Sequence, residues 1–327
     1  MSHSPHHSCP ITTDVAQAVD ILRAGGLVAF ATETVYGLGA NALNEQAVAR
    51  VFEAKNRPHF DPLIVHVADE SWLPRLVREI SPTARQLAAA FWPGPLTMVL
   101  PKTDLVPDLV TSGLPSVAIR MPSHPQAREL LRLVDLPIAA PSANPFGQLS
   151  PTSAEHVAQT LGAKIDLILD GGPATVGVES TVVLVVENGV QILRHGGLTQ
   201  EQIESVVGRV TQPQRSQTES EAAPSPGMLP QHYAPRTRLL LSSDLASVDL
   251  RGLRVGALML TPTTSALEFE TIEVLTIDGN LTMAAAGFFA ALRRLDQQRL
   301  DAIVAFPFPE RELGRALNDR LRRAAHD

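Results

Sequence analysis

Three short stretches gather the side chains able to hold a phosphate. TETVYGLGA at 32–40 offers the Thr32 and Thr34 hydroxyls and a glycine-bearing backbone. KNRPHFDPLIVHV at 55–67 carries Lys55, Arg57, Asp61 and His66, and PSANPFGQLS at 141–150 carries Ser142, Asn144 and Ser150. Alternate side chains of an extended segment point alike, so KNR sets Lys55 and Arg57 on one side, one as a point charge and one as a planar fork. His66 lies within LIVHV, Arg120 near the end of SVAIRM and Arg194 at the end of VQILR. Three strands thus pass a cation or imidazole toward their ends, where open α/β sheets collect ligands. GVESTVV at 177–183 brings Glu179, Ser180 and Thr181 to a strand entrance. No Ser–His–Asp arrangement accompanies Ser180, which points to hydrogen bonding over nucleophilic attack. GLGANA at 37–42 formally matches GxGxxG/A, but its distance from the preceding strand and the missing acidic strand end favour glycines serving a tight turn. GxxxxGK[ST], HExxH and GxSxG are all absent.

The elements that must position these groups read in alternation. Val15, Ala18, Val19 and Leu22 predict a helix over 14–23, stopped by Gly25-Gly26, before the buried strand LVAFA. Asn44 caps a helix that delivers Lys55 and Arg57 just past its end. Ser81-Pro82 opens another helix, which WPGP at 92–95 ends before the strand LTMVL. A helix through 128–133 leads to PIAA, Ser153 and Thr199 cap two more helices, and DLILD is a strand. TVVLVVE, Asn188-Gly189 and VQILR predict a hairpin. Helix–strand alternation together with an antiparallel hairpin predicts a mixed sheet. From 211 to 236 proline, serine, glutamine and glutamate replace the apolar period, as in a linker, although Met228, His232 and Tyr233 at its end suit docking as a lid. Beyond it, strand–helix alternation predicts a second, Rossmann-like α/β unit, with Leu313, Leu317 and Leu321 on one stripe of its last helix. The expected division is a disordered tail at 1–11, a catalytic unit at 12–210, the linker or lid at 211–236 and the C-terminal unit at 237–327.

The 327 residues suffice for two such units. A net charge of −7 and 4% aromatic residues argue against direct nucleic-acid binding through a basic or base-stacking surface. A single cysteine, Cys9, excludes an internal disulfide framework, and no apolar run reaches membrane-span length. Without a secretory signal pattern at its start, the chain is expected in the cytoplasm. His3, His6 and His7 beside Cys9 could capture a metal, but no apolar residue would order them, and a solvated tail is the expectation.

Taken in order, TETVYGLGA, KxR, PL-x-x-H, WPGPLT, VAIRMP, SxN within PSANPFG, LSPT, DGG and GVESTVV resemble the threonylcarbamoyl-AMP synthase family of the YrdC/YwlC type. The likeness covers about 12–208, and HYAP with the final α/β unit looks like the family's long, two-domain form. It implies a YrdC-like twisted mixed sheet with flanking helices, and formation of threonylcarbamoyl-AMP, pyrophosphate and water from ATP, L-threonine and bicarbonate. The product would feed a downstream tRNA threonylcarbamoyl transferase complex that modifies the adenosine beside the anticodon. The same likeness implies threonine contacts from Thr34, His66, Arg120, Ala140 and Ser180. It implies ATP contacts from Lys55, Arg57, Asp61, Ser116, Ser142, Asn144, Ser150, Arg194, His232 and Tyr233, with Lys55 and Arg57 as catalytic cations and Mg²⁺ arriving with ATP, not on protein ligands. Asp61 stands where the family usually has asparagine, and an ionised carboxylate there repels phosphate or meets Mg²⁺ or ribose. Two rivals stay open: a carbamoyl-adenylate former for another acceptor, and an RNA-binding module.

Overall fold

The computed structural model describes residues 9–186, 189–212, 233–242, 250–262 and 268–325. Most of the expected tail, Asn188, and the linker from 213 to 232 with Met228 and His232 therefore lie outside the described residues.

Ten strands form the larger sheet: β1 (Ile11–Thr12), β2 (Val28–Phe30), β3 (Gly37–Asn41), β4 (Ile64–His66), β5 (Leu96–Pro101), β6 (Ser116–Arg120), β7 (Ile138–Ala139), β8 (Leu167–Leu169), β9 (Thr181–Val186) and β10 (Gly189–Arg194). Their order is β1-β8-β2-β3-β7-β4-β6-β5-β9-β10, with parallel and antiparallel neighbours mixed. The helices interleaved with them are α1 (Val15–Arg23), α2 (Glu45–Lys55), α3 (Leu73–Leu76), α4 (Pro82–Phe91), α5 (Asp108–Thr111), α6 (Pro125–Val134), α7 (Ala154–Leu161) and α8 (Gln200–Val207). Asn44, Ser81, Ser153 and Thr199 cap α2, α4, α7 and α8 through their side chains, as their spacing from the apolar runs predicts. Among the described residues, one apolar cluster on the sheet is built around α2, α4 and α7, another joins α1 and α6 to β2 and β8, and a smaller one gathers Ile64, Val99, Ala118, Val182 and Leu193.

The second unit is a parallel sheet of β11 (Arg238–Leu241), β12 (Val255–Met259), β13 (Thr271–Val274) and β14 (Ala302–Ala305), ordered β11-β14-β12-β13. Its helices are α9 (Leu281–Asp296) and α10 (Gly314–Ala324). Its core does not stop at its own edge. Val35, Leu149, Val178 and Tyr233 pack into the same cluster as Phe288, Phe289 and Leu317. At Gly177, φ is +77°, and an added Cβ would stand 2.2 Å from the Ala285 carbonyl oxygen of α9. Main chain meets main chain there, which only glycine allows.

Several expectations need correction. GLGAN is strand β3, antiparallel to β2, and neither Gly37 nor Gly39 has positive φ. A Cβ on Gly39 would stand 2.9 Å from the Phe30 ring, so close packing, not a turn, requires glycine. Ile11, expected in the tail, pairs with Ile168 of β8. Gly189, expected in the turn, pairs with Val186 and belongs to strand β10. At the start of the linker, Thr211 bridges Gln191 of β10.

Candidate active site

Strand register assembles the cleft. His66 of β4 lies opposite Arg120 of β6, Arg120 opposite Thr97 of β5, Thr97 opposite Val182 of β9, and Val182 opposite Arg194 of β10. Residues directly opposite in a ladder share a face, so one transverse row carries an imidazole, two guanidiniums and a hydroxyl. Arg194 joins the row through a bulge between Ile192 and Arg194. Strict alternation would have sent it with Val190 and Ile192 to the opposite, apolar face.

Each of these groups is buried and partnered. Arg120 donates to the Thr34 hydroxyl at 2.8 Å and pairs with Glu33 at 2.7 Å. Burial pushes the Glu33 carboxyl up, but the charge and hydrogen bonding of Arg120 outweigh it and hold the group below its ordinary range. The Thr32 hydroxyl lies 2.8 Å from that of Thr34 and donates to the Val35 carbonyl, which fixes the turn out of β2. Burial first, and then the charge of Arg120, push the His66 ring down to about 3, so it is neutral at neutral pH. Ser180 sits 2.7 Å from the Thr97 hydroxyl, and Arg194 donates to the Ser180 carbonyl at 2.9 Å and its hydroxyl at 3.2 Å.

The KNR corner folds differently from an extended segment. Lys55 is the last residue of α2, and Asn56 caps the helix in the left-handed region with φ of 51°. That reversal separates the two cations. Lys55, 1% exposed, turns to the main-chain carbonyls of Ser142, at 2.5 Å, and of Asn144. Phe146 returns a backbone N–H to the Lys55 carbonyl at 2.7 Å. Burial, then the charge of Arg57, hold the Lys55 ammonium well below its usual pKa. Arg57 faces the cleft, donating to the carbonyls of Asp61 at 2.9 Å and Pro62 at 2.8 Å and pairing with the Asp61 carboxylate at 2.8 Å. The SAN loop is also stitched to β3, with Ala143 N–H on the Tyr36 carbonyl and Leu38 N–H on that of Pro141.

Arg57, Ser142, Arg194 and Tyr233 line a single cleft with Thr34, His66, Arg120, Ala140 and Ser180. The other expected residues stand apart from its lining. Lys55 and Asn144 are buried behind it, the amide of Asn144 donating to the carbonyls of Pro145 and Gln148. Asp61 is covered by Arg57, and Ser150 donates to Glu179. Ser116 opens β6, four residues from Arg120 and about 13 Å along the strand. His232 lies outside the described residues. Four groups escaped the sequence reading: Glu33, Thr97, Glu179 as a lining acid, and Arg320. A lone acid in the otherwise uncharged run from Leu27 to Leu43 was the available signal for Glu33, since a buried carboxylate demands a cation.

The acids at the cleft are committed to cations or hydroxyls, and no cluster of three metal-ligating side chains occurs among the described residues. The described side chains thus gather no cation site of their own. Among the described residues no helix is long and apolar enough to cross a membrane.

A family model described as Telomere recombination matches residues 20–196, and one described as Threonylcarbamoyl-AMP synthase, C-terminal domain matches 198–326. Threonylcarbamoyl-AMP synthases of Pyrococcus abyssi and Bacillus subtilis are 43% and 44% identical to the chain, covering 94% and 95% of it and 93% and 92% of themselves. The crystal structure of P. abyssi Sua5 complexed with L-threonine matches with a TM-score of 0.87 at 42% identity, over 95% of this chain and 94% of that one. E. coli YciO, at 24% identity and a TM-score of 0.51, covers 58% of this chain and 94% of its own and shares the fold of the first unit.

Proposed function

The chain belongs to the threonylcarbamoyl-AMP synthase family, and from that premise we propose how its cleft makes threonylcarbamoyl-AMP from L-threonine, bicarbonate and ATP. The observation that supports the reading is the transverse row His66–Arg120–Thr97–Val182–Arg194, which puts an imidazole, two guanidiniums and a hydroxyl on one face, suited to an amino acid at one end and a phosphate at the other.

At the amino-acid end, Arg120 supplies a fork for the threonine carboxylate, already aimed by Glu33 and Thr34. Thr34, His66, Ala140 and Ser180 enclose the rest of the substrate. At the phosphate end Arg57, Arg194, Ser142 and Tyr233 face the triphosphate. Threonine's amine combines with bicarbonate to give a carbamate and water. A carbamate oxygen then attacks the α-phosphorus in line, a P–O bond forms, and pyrophosphate leaves with the electron pair of the broken bond. Charge builds on the bridging and leaving oxygens, where Arg57 and Arg194 stabilise it without reorganising. His66, pushed down to about 3, is too weak a base to take the amine's proton, which leaves bicarbonate or water for that step. Lys55 acts one layer back, holding the SAN loop against α2. Magnesium would arrive on the triphosphate and not on protein ligands. The product passes to a tRNA threonylcarbamoyl transferase complex in the cytoplasm.

Pyrophosphate release tests the reading. It should require threonine and bicarbonate together, and Arg120→Gln should raise the threonine KM with little change in that for ATP. Release independent of threonine would defeat the proposal.

A further inference from the structure

The second unit places one side chain in direct contact with the cleft wall. Arg320 of α10 is wholly buried. Its Nε donates to the Glu179 Oε2 at 2.9 Å, and one terminal nitrogen donates to the His195 carbonyl at 2.7 Å and to Asp319 at 2.9 Å. Its guanidinium carbon stands 5.0 Å from the centroid of the Tyr233 ring. Glu179 and Tyr233 line the cleft, and His195 follows the lining residue Arg194. Three segments far apart in sequence therefore meet on one guanidinium.

We propose that Arg320 is a positioning residue of the nucleotide half of the cleft, through which the C-terminal unit takes part in the reaction. The inference rests on the assignment of Arg57, Arg194 and Tyr233 to ATP. Other contacts across the seam, Arg315 with Glu201 and Arg293 with the Leu149 carbonyl, join the units without touching a charged lining group. Arg320 does something different. It neutralises Glu179, the one acid in the cleft lining among the described residues, whose other oxygen accepts from Ser150. Without it, Glu179 would present an uncompensated negative charge to an incoming triphosphate. Tyr233 would lose the cation beneath its ring, and the backbone beside Arg194 would lose its tether. Of the threonine end, Thr34, His66, Arg120 and Ala140 share none of these contacts, and Ser180, which follows Glu179 in the chain, is held separately by Thr97 and Arg194.

The full chain should be compared as wild type, Arg320→Lys, Arg320→Met and Arg320→Met/Glu179→Gln. The measurements are the melting temperature, the threonine Kd by calorimetry without ATP, and the ATP KM in threonine-dependent pyrophosphate release. In Arg320→Met the ATP KM is expected to rise at least tenfold while the threonine Kd stays within twofold, with Arg320→Lys intermediate. The double variant guards against misfolding. It should regain the melting temperature, since no unpaired charge remains, yet keep an ATP KM at least threefold above wild type because the Tyr233 and His195 contacts stay lost. An ATP KM at the wild-type value in Arg320→Met or in the double variant would overturn the proposal, as would parallel weakening of ATP and threonine. Failure of the underlying reading would look different: wild-type pyrophosphate release would itself ignore threonine.

Discussion

Replacing Asp61 with asparagine removes one charge from a pair whose nitrogen and oxygen stand 2.8 Å apart, with side chains 3% and 0% exposed. With charge centres about 4 Å apart and an effective dielectric of about 20, the attraction is about 4 kcal/mol. Dehydration of both ions offsets part of it, yet breaking such a pair from one side costs about 3–5 kcal/mol. Arg57 keeps its bonds to the carbonyls of Asp61 and Pro62, which hold its orientation and reduce the loss. The expected destabilisation of the free enzyme is about 2–3 kcal/mol. The same change removes an anion from behind the end of the cleft proposed for the phosphates. At about 10 Å and the same dielectric, one unit of repulsion is worth about 1.7 kcal/mol, or more than tenfold in affinity. Urea unfolding with and without ATP, and ATP titration by calorimetry, separate the two effects. Asp61→Asn should unfold earlier when empty, bind ATP about tenfold tighter, and gain more stability from saturating ATP than wild type does. Unchanged stability together with weaker ATP binding would refute the reasoning, since Asp61 would then be helping the nucleotide and not competing with it for Arg57.

Two further outcomes follow from buried groups. Lys55→Met leaves the carbonyls of Ser142 and Asn144 without their donor, so the melting temperature should fall and the ATP KM should rise, visible in a thermal scan and in steady-state kinetics. His66 stays neutral in the fold down to about pH 3, whereas the unfolded chain protonates it near 6.5. Its contribution is complete above pH 6.5 and is lost as the pH falls toward 3, at up to about 1.4 kcal/mol per pH unit. His156, pushed down to about 4 by burial and then by the charge of Arg293, adds a similar slope over a narrower window. Urea unfolding between pH 7.5 and 5 should show this decline, and His66→Gln should flatten it by one proton; an unaltered slope would contradict the assignment.

Local signals told most of the fold. Caps at Asn44, Ser81, Ser153 and Thr199 are readable because a capping side chain bonds to backbone only two or three residues away. The convergence of His66, Arg120 and Arg194 was also legible, since each lies at or near a strand end. Other features depended on partners distant in the chain. GLGAN is a strand because it pairs with β2 and β7, with Phe30 and Ile138 leaving Gly39 no room for a side chain, and no period within the segment reveals that. The bulge before Arg194 breaks the alternation from which its side would be inferred. Lys55 turned away from Arg57 because Asn56 adopts the left-handed region. Arg320 could have been found: residues 313, 316, 317, 320, 321 and 324 trace one helical stripe, and five of the six are apolar. A charged residue in the middle of such a stripe is a buried charge awaiting its partner.

The meeting of Gly177 with α9 limits how the molecule can open. A joint made of interlocked side chains has rotamers to spare and can slip. One in which a carbonyl oxygen occupies the space of a missing methyl has no such slack. Swinging one lobe away from the other would empty this contact and strip Glu179 of Arg320 in the same movement. A reaction cycle that keeps this contact therefore runs with the two lobes clasped.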